Sequence, residues 1–357
     1  MDPLVSSVLF ALLSLAPLQK SQEPAAPPAP PPKSFAAVDR FGTSRFTAEK
    51  LLEPLRPRFA EYEQASLAHD YEKAAPIQHE LETAVKQAGG FAFVKFSVVR
   101  YFREGDPSYL TIDVVEPADV ARRMTFAKPP ADAAALPDPE GLLAKYGEYE
   151  KKGFELLAKH EKIEDAASSR ELLHCPFGFA HAELAPFKPI LVDGARRHVD
   201  DLVAIVHRDT EAQHRAFAIF LLAFTVDGAR VVREIVPACK DESSLVRNNA
   251  LRVFAETAHH HPEVALPLAP VLDALEFPET TDRNKASAIL EPLSKKKELQ
   301  TEIRRRAGTT IVAMLKLKQP NNHDFAVMIL KNLHGEQTPP IGDEDVAGWE
   351  AWLARGD

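Results

Sequence analysis

Apolar residues recur at three- and four-residue spacing through most of residues 47–353, and a strand-like stretch breaks the period. Ala74, Ile77, Leu81 and Val85 form a helical stripe behind Asp70, a natural N-cap, and ahead of Gly89-Gly90, a natural stop; Pro76 is expected to shorten or kink this helix. Leu51, Leu52 and Leu55 before Pro57, and a second segment over 58–69, predict its hairpin partner. The break is Phe91–Phe102, reading FAFVKFSVVRYF, where aromatic and β-branched residues crowd together. With the turn signal Glu104–Ser108 and the run Tyr109–Val115, reading YLTIDVV, it predicts a β-hairpin. Two strands are marginal in water, so the hairpin must lie on the preceding helices or pair with further strands. Phe126–Pro139, rich in Pro, Ala and Asp, reads as a loop. Asp138 and Pro139 then open a helix carrying Leu142, Leu143, Tyr146, Tyr149 and Phe154. An irregular aromatic loop follows at 172–181, and helical patterning resumes near Pro186 through Ile190, Leu191, Val199, Leu202 and Ile205.

From about Asp209 to Leu333 the helical pattern repeats. Arg215–Ala223, Asn249–Thr257, Lys285–Leu293 and Phe325–Leu333 overlay without gaps at offsets of 34, 36 and 40 residues. Ala216, Ala250, Ala286 and Ala326 share one column; Ile219, Val253, Ile289 and Ile329 a second; Phe220, Phe254, Leu290 and Leu330 a third. A small residue followed three and four positions later by bulky apolar ones is the contact stripe of a closely packed helix, and the period is that of helical-hairpin arrays. Each copy is followed by a second apolar segment, Val231–Ala238, Val264–Leu275 and Ile303–Leu317, with turn residues at the joints. Trp349 and Trp352, on one face of a terminal helix over Asp345–Leu353, suit a cover for the end of the stack.

Within these copies, Asp241–Leu251 (DESSLVRNNAL) resembles the start of a HEAT repeat, in which an acidic residue precedes Val-Arg and then an Ala-Leu pair. Asp209–Phe217 is a looser match, and the copies at Lys285 and Phe325 keep the apolar columns without Val-Arg. The resemblance spans roughly residues 200–335. It implies a HEAT-like α-solenoid over 196–357; residues 34–190 resemble no recognised family, and their own pattern predicts a helical or α+β module over 34–195 with a β-hairpin, in a mainly α chain. The resemblance also implies an interaction scaffold and specifies no chemistry.

Composition agrees with a globular protein of about this size: 45% hydrophobic, 27% charged. A net charge of -9 argues against a general nucleic-acid binder. Leu4–Ala16, reading LVSSVLFALLSLA, is apolar but too short to span a bilayer, and reads as a signal peptide ending near Ser21, although Asp2 stands where a basic residue belongs. Glu23–Lys33 has the composition of a polyproline spacer. The expected product is exported, periplasmic or extracellular, with no transmembrane span in the mature chain.

Candidate chemistry is sparse. Cys175 and Cys239 form either one bridge or two buried thiols. His174, Cys175 and His181 offer nitrogen and sulfur in one loop, at a spacing that matches no zinc signature; a metal-dependent or hydrolytic enzyme would centre there. His259, His260 and His261 point about 100° apart on a helix and cannot easily converge on one ion. Lys295, Lys296, Lys297, Arg304, Arg305 and Arg306 make the strongest basic cluster, which reads as a solvated face or as a contact for an acidic protein partner, an anionic surface or, as the alternative function, nucleic-acid phosphates. With no phosphate loop, nucleophile elbow or HExxH motif, the reading is a non-enzymatic scaffold for a protein partner, with no cofactor and no metal, and with the 295–306 cluster as its candidate contact.

Overall fold

The stretch that breaks the helical period forms the strands β2 (Phe93–Arg100) and β3 (Ser108–Val115), paired antiparallel as the hairpin reading requires. The computed structural model describes residues 34–101, 107–159, 161, 163, 171–225, 227–335 and 340–355. The signal-peptide and spacer readings lie outside these residues, as does most of the hairpin turn. A third strand, β1 (Ala37–Phe41), runs parallel to β3 and completes a sheet of order β1-β3-β2. Central β3 is buried on both faces, which is why its sequence lacks the alternation of a half-exposed strand.

Among the described residues the chain is mainly helical, and it divides into two compact units. One is continuous, Phe126–Ala274; the other combines the residues up to Thr125 with those from Leu275 onward. The expected boundary at 195/196 is not where this division runs. Residues 126–195 group with the first two repeated helices, and the last two group with the sheet.

In the two-segment unit, α1 (Arg56–Leu67) and α2 (Tyr71–Gly89) cover one face of the sheet. Asp70 caps α2 by accepting from the Lys73 N–H at 3.1 Å, and Gly90 ends it at φ +65°; the helix runs through Pro76. Ile77, Leu81 and Val85 meet Leu110, Ile112 and Val114 in an apolar core with Tyr62 and Phe96. Alternation along the strands puts Asp39, Thr111 and Asp113 on the opposite face. Helices α9 (Thr280–Leu293), α10 (Lys297–Met314), α11 (Pro320–His334) and α12 (Val346–Ala354) complete this unit, with α11 against α9 and α10, and α12 against α10. Trp349 and Trp352 are buried around His334, so α12 covers apolar surface as its indoles suggest.

In the continuous unit, α3 (Leu142–Ala158) starts three residues later than expected. Pro139–Gly141 forms a 3₁₀ turn, and the Asp138 carboxylate reaches past it to accept from the Leu143 and Ala144 N–H groups at 2.8 and 3.0 Å. Then come α4 (Val199–Arg208), α5 (Ala212–Leu222), α6 (Gly228–Ile235), α7 (Ser244–His260) and α8 (Leu268–Glu276), the last two residues of α8 falling in the other unit, with α5 packed on α4 and α7. The segment 126–136, expected as a loop, is tied down. It makes parallel bridges Ala127↔Asp241 and Ala134↔Asp209 just ahead of α7 and α5.

Candidate functional site

The repeat becomes measurable at the helix starts. The N-caps of α5, α7, α9 and α11 are Glu211, Ser243, Glu279 and Gln319, spaced by 32, 36 and 40 residues. Seven residues on stand Ala218, Ala250, Ala286 and Ala326; ten on, Leu221, Val253, Ile289 and Ile329; eleven on, Leu222, Phe254, Leu290 and Leu330, all essentially without exposure. The first copy is therefore displaced by two residues from the alignment made on apolar columns alone. The cause is physical: α5 buries Ala216, Ile219 and Phe220 as fully as Ala218, Leu221 and Leu222, and two equally buried apolar sets leave its phase open in the sequence.

The corrected register exposes a polar column. Arg215, Arg247 and Arg283 each stand four residues after an N-cap, and each turns back on the carbonyls that precede its helix. Arg215 Nη1 donates to Asp209 and Thr210 O at 2.8 and 3.2 Å, Arg247 Nη1 to Asp241 and Glu242 O at 2.9 and 3.1 Å, and Arg283 Nη1 to Pro278 O at 3.2 Å. Arg215 also grips Asp241 bidentately at 2.9 and 2.8 Å, which links α5 to the start of α7. Arg247 stacks on Phe126 at 4.1 Å and Arg283 on Phe41 at 3.9 Å.

A buried carboxylate attends every one of these helix starts. Asp209 accepts from the Glu211 N–H at 2.7 Å and Asp241 from the Ser243 N–H at 2.8 Å. Asp113 accepts from the Thr280 N–H at 3.0 Å and from Arg283 Nη2 at 2.5 Å, both side chains fully buried. Asp39 accepts from the Lys318 and Gln319 N–H groups at 2.7 and 3.2 Å; burial raises its pKa, and those two N–H groups oppose the rise. Negative charge at the positive end of a helix is stabilising, and here it also satisfies N–H groups that have no partner within the helix. Sequence reading had a signal for this set: Arg follows Asp by six residues at both Asp209 and Asp241.

The six predicted contact residues lie around the start of α10. Lys295, Lys296 and Lys297 are exposed at the α9–α10 joint, Lys295 within 2.6 Å of Glu291. Arg305 pairs with Glu302 at 2.6 Å, and Arg306 lies 3.7 Å from the same carboxylate. Arg304 is turned inward: it donates to Trp352 O at 2.8 Å and stacks on the Trp352 ring at 4.2 Å. The cluster is thus a lysine-rich corner rather than one uniform basic face.

Comparison with family models, with curated proteins and with solved structures returned no match.

The structure gives the residues singled out in the 174–181 loop packing and hydrogen-bond neighbours within their own unit. His174 is buried against Phe220 with ring centroids 4.9 Å apart, Cys175 Sγ lies 3.3 Å from Tyr149 Oη, and His181 Nδ1 accepts from the Glu183 N–H. Cys175 and Cys239 are two buried thiols. The histidine run diverges as helical geometry requires: His260 approaches Glu256 at 3.5 Å, while His261 bonds Leu172 O at 3.0 Å. Among the described residues, no group of three or more His, Cys, Asp or Glu is placed to hold a metal ion.

One titratable group in this unit stands out. Burial pushes the Glu150 carboxyl on α3 up to about 7, against the pull of the buried Arg252 guanidinium. The folded chain therefore holds the Glu150 proton more tightly than the unfolded chain, whose value is near 4.5. The penalty for ionised Glu150 is complete above pH 7, fades as pH falls through 7, and is gone below 4.5. We expect Glu150→Gln to raise stability at pH 8 by up to about 3 kcal/mol and to change it little at pH 5. Urea denaturation followed by far-ultraviolet circular dichroism at both pH values tests this; equal gains at the two would refute the assignment.

Proposed function

We propose that this protein is an exported helical-repeat scaffold that binds a protein partner. The observation that supports this reading best is the shared internal register of α5, α7, α9 and α11. The residues that recur are spent on packing and on helix starts, as in an array whose elements are structural and whose specificity lies in what varies between copies. The largest such variation is the lysine corner. A scaffold of preordered helices loses little freedom on association, so a modest set of surface charges can select a partner. Three of the six basic side chains already approach glutamates and Arg304 faces Trp352, an arrangement that suits a protein surface with a few acidic groups better than a continuous row of phosphates. Export is supported by the apolar segment Leu4–Ala16 followed by the proline-rich spacer, and among the described residues no helix is long and apolar enough to cross a membrane.

The test is charge reversal in the intact chain, because removing the C-terminal half would also take away part of the two-segment unit. Lys295→Glu, Lys296→Glu and Lys297→Glu together are expected to lower capture of the natural partner from a native extract at least tenfold at 0.15 M salt, with circular dichroism unchanged. Undiminished capture rejects the lysine corner as the contact. Loss of capture on nuclease treatment of the extract would point to nucleic acid instead.

A further inference from the structure

The residue two positions ahead of the N-cap is Asp209 at α5 and Asp241 at α7, but Phe277 at α9 and Leu317 at α11. Both replacements are apolar and buried, so the last two helices carry no carboxylate of their own at this place. At those two starts a carboxylate arrives from the sheet: Asp113 of β3 at α9 and Asp39 of β1 at α11. The correspondence extends to the arginine. Arg283 meets Asp113 and rests on Phe41, as Arg247 rests on Phe126 in the other unit. It extends also to the backbone, since extended chain lies at α5 and α7 through Ala134 and Ala127. The residues that serve the four starts run in reverse sequence order: 134, 127, 113 and 39.

We infer that β1 and β3 are surrogate parts of the repeat, which supply to α9 and α11 the carboxylate those copies lack two residues ahead of the N-cap and thereby latch the starts of both helices. Without Asp113, the Thr280 N–H and the Arg283 guanidinium are left buried without their acceptor, a state that the first turn of α9 escapes by opening to water. The helix starts are consequently filled from within the chain, and a binding partner must use other faces of the repeats.

Hydrogen exchange followed by mass spectrometry on the full-length protein tests the latch. In Asp113→Ala, amides of 279–284 are expected to exchange at least tenfold faster than in the parent, together with those of β3, while 210–216 and 243–248 keep their protection. Asp241→Ala should give the converse, faster exchange at 243–248 and none at 279–284. Unchanged protection of 279–284 in Asp113→Ala, or equal acceleration at all four starts, overturns the inference. If Asp113→Ala does not accumulate as folded protein, Asp113→Asn, which keeps the shape and one acceptor oxygen, is read in the same way. Asp39→Asn applies the same reading at 318–323 of α11.

Discussion

Arg283→Met is expected to destabilise the two-segment unit by about 3–5 kcal/mol, lowering its melting temperature by roughly 10 °C. The size follows from what is left behind. Asp113 has no exposure, and the guanidinium 2.5 Å away is its countercharge; methionine fills much of the volume but leaves a buried carboxylate facing Phe41. The Pro278 carbonyl and the Thr280 hydroxyl lose a donor in the same step. Substituting Asp113→Leu in the Arg283→Met background should restore part of the loss, since an apolar pair does not suffer from an unpaired charge. Restoration will be incomplete, because the Thr280 N–H and the Ser97 hydroxyl also depend on Asp113. Thermal denaturation of the parent, both single variants and the double variant gives the coupling directly. A loss below 1 kcal/mol for Arg283→Met would show that water reaches the pair and that the buried network does not exist as described.

Gly42→Ala should be nearly as damaging, at about 3 kcal/mol, for a steric reason. Gly42, which directly follows β1, holds φ +98°, where side-chain-bearing residues are strained, and a Cβ placed there would lie 2.0 Å from the Val114 carbonyl oxygen and 2.4 Å from Arg123 Nη1. Neither neighbour can retreat cheaply. Val114 is in the central strand, and its carbonyl accepts from Arg123 Nη1 at 2.7 Å while Arg123 Nε donates to Glu276 O at 3.0 Å. Arg123 is itself buried beside Arg283, and that burial and repulsion lower its pKa to about 10. The variant must therefore move β1 or give up the Arg123 contacts. Calorimetric melting decides the matter, and a transition within 2 °C of the parent would mean that the turn after β1 tolerates ordinary backbone angles.

Much of the helical layout was legible because it rests on local chemistry. Asp70, Asp227 and Asp345 cap the helices they precede, and the stripe Ala74, Ile77, Leu81, Val85 is buried along α2. The β2–β3 hairpin announced itself through aromatic and β-branched residues. Three features were hidden, each for its own reason. β1 is five residues long with Asp39 at its centre, and nothing local distinguishes it from a loop. The segment 126–136 is tied down at Ala127 and Ala134 by bonds to residues far along the chain, and no local pattern encodes that. The phase of α5 was ambiguous because both candidate sets of apolar residues, Ala216, Ile219 and Phe220 and Ala218, Leu221 and Leu222, are fully buried. The candidate contact fared similarly: composition identifies six basic residues, but that Arg304 stacks on Trp352 while Lys296 and Lys297 stay exposed depends on the placement of α12.

The two-segment unit has a consequence for the chain as it is made. Asp113 and Arg283 are 170 residues apart, and Asp39 and Gln319 are 280 apart, whereas the core between the sheet and α1 and α2 needs only residues 35–114. Synthesis from the N-terminus therefore yields a sheet with one face finished and the other waiting for helices still to be translated. That waiting face carries Asp39, Ser97, Thr111 and Asp113 among apolar neighbours such as Phe41, Val99 and Tyr109. A half-built sheet with charges on its open side is poorly suited to pairing with its copies on neighbouring ribosomes. The carboxylates that later seat α9 and α11 are thus the charged groups that interrupt an otherwise largely apolar open face until those helices are made.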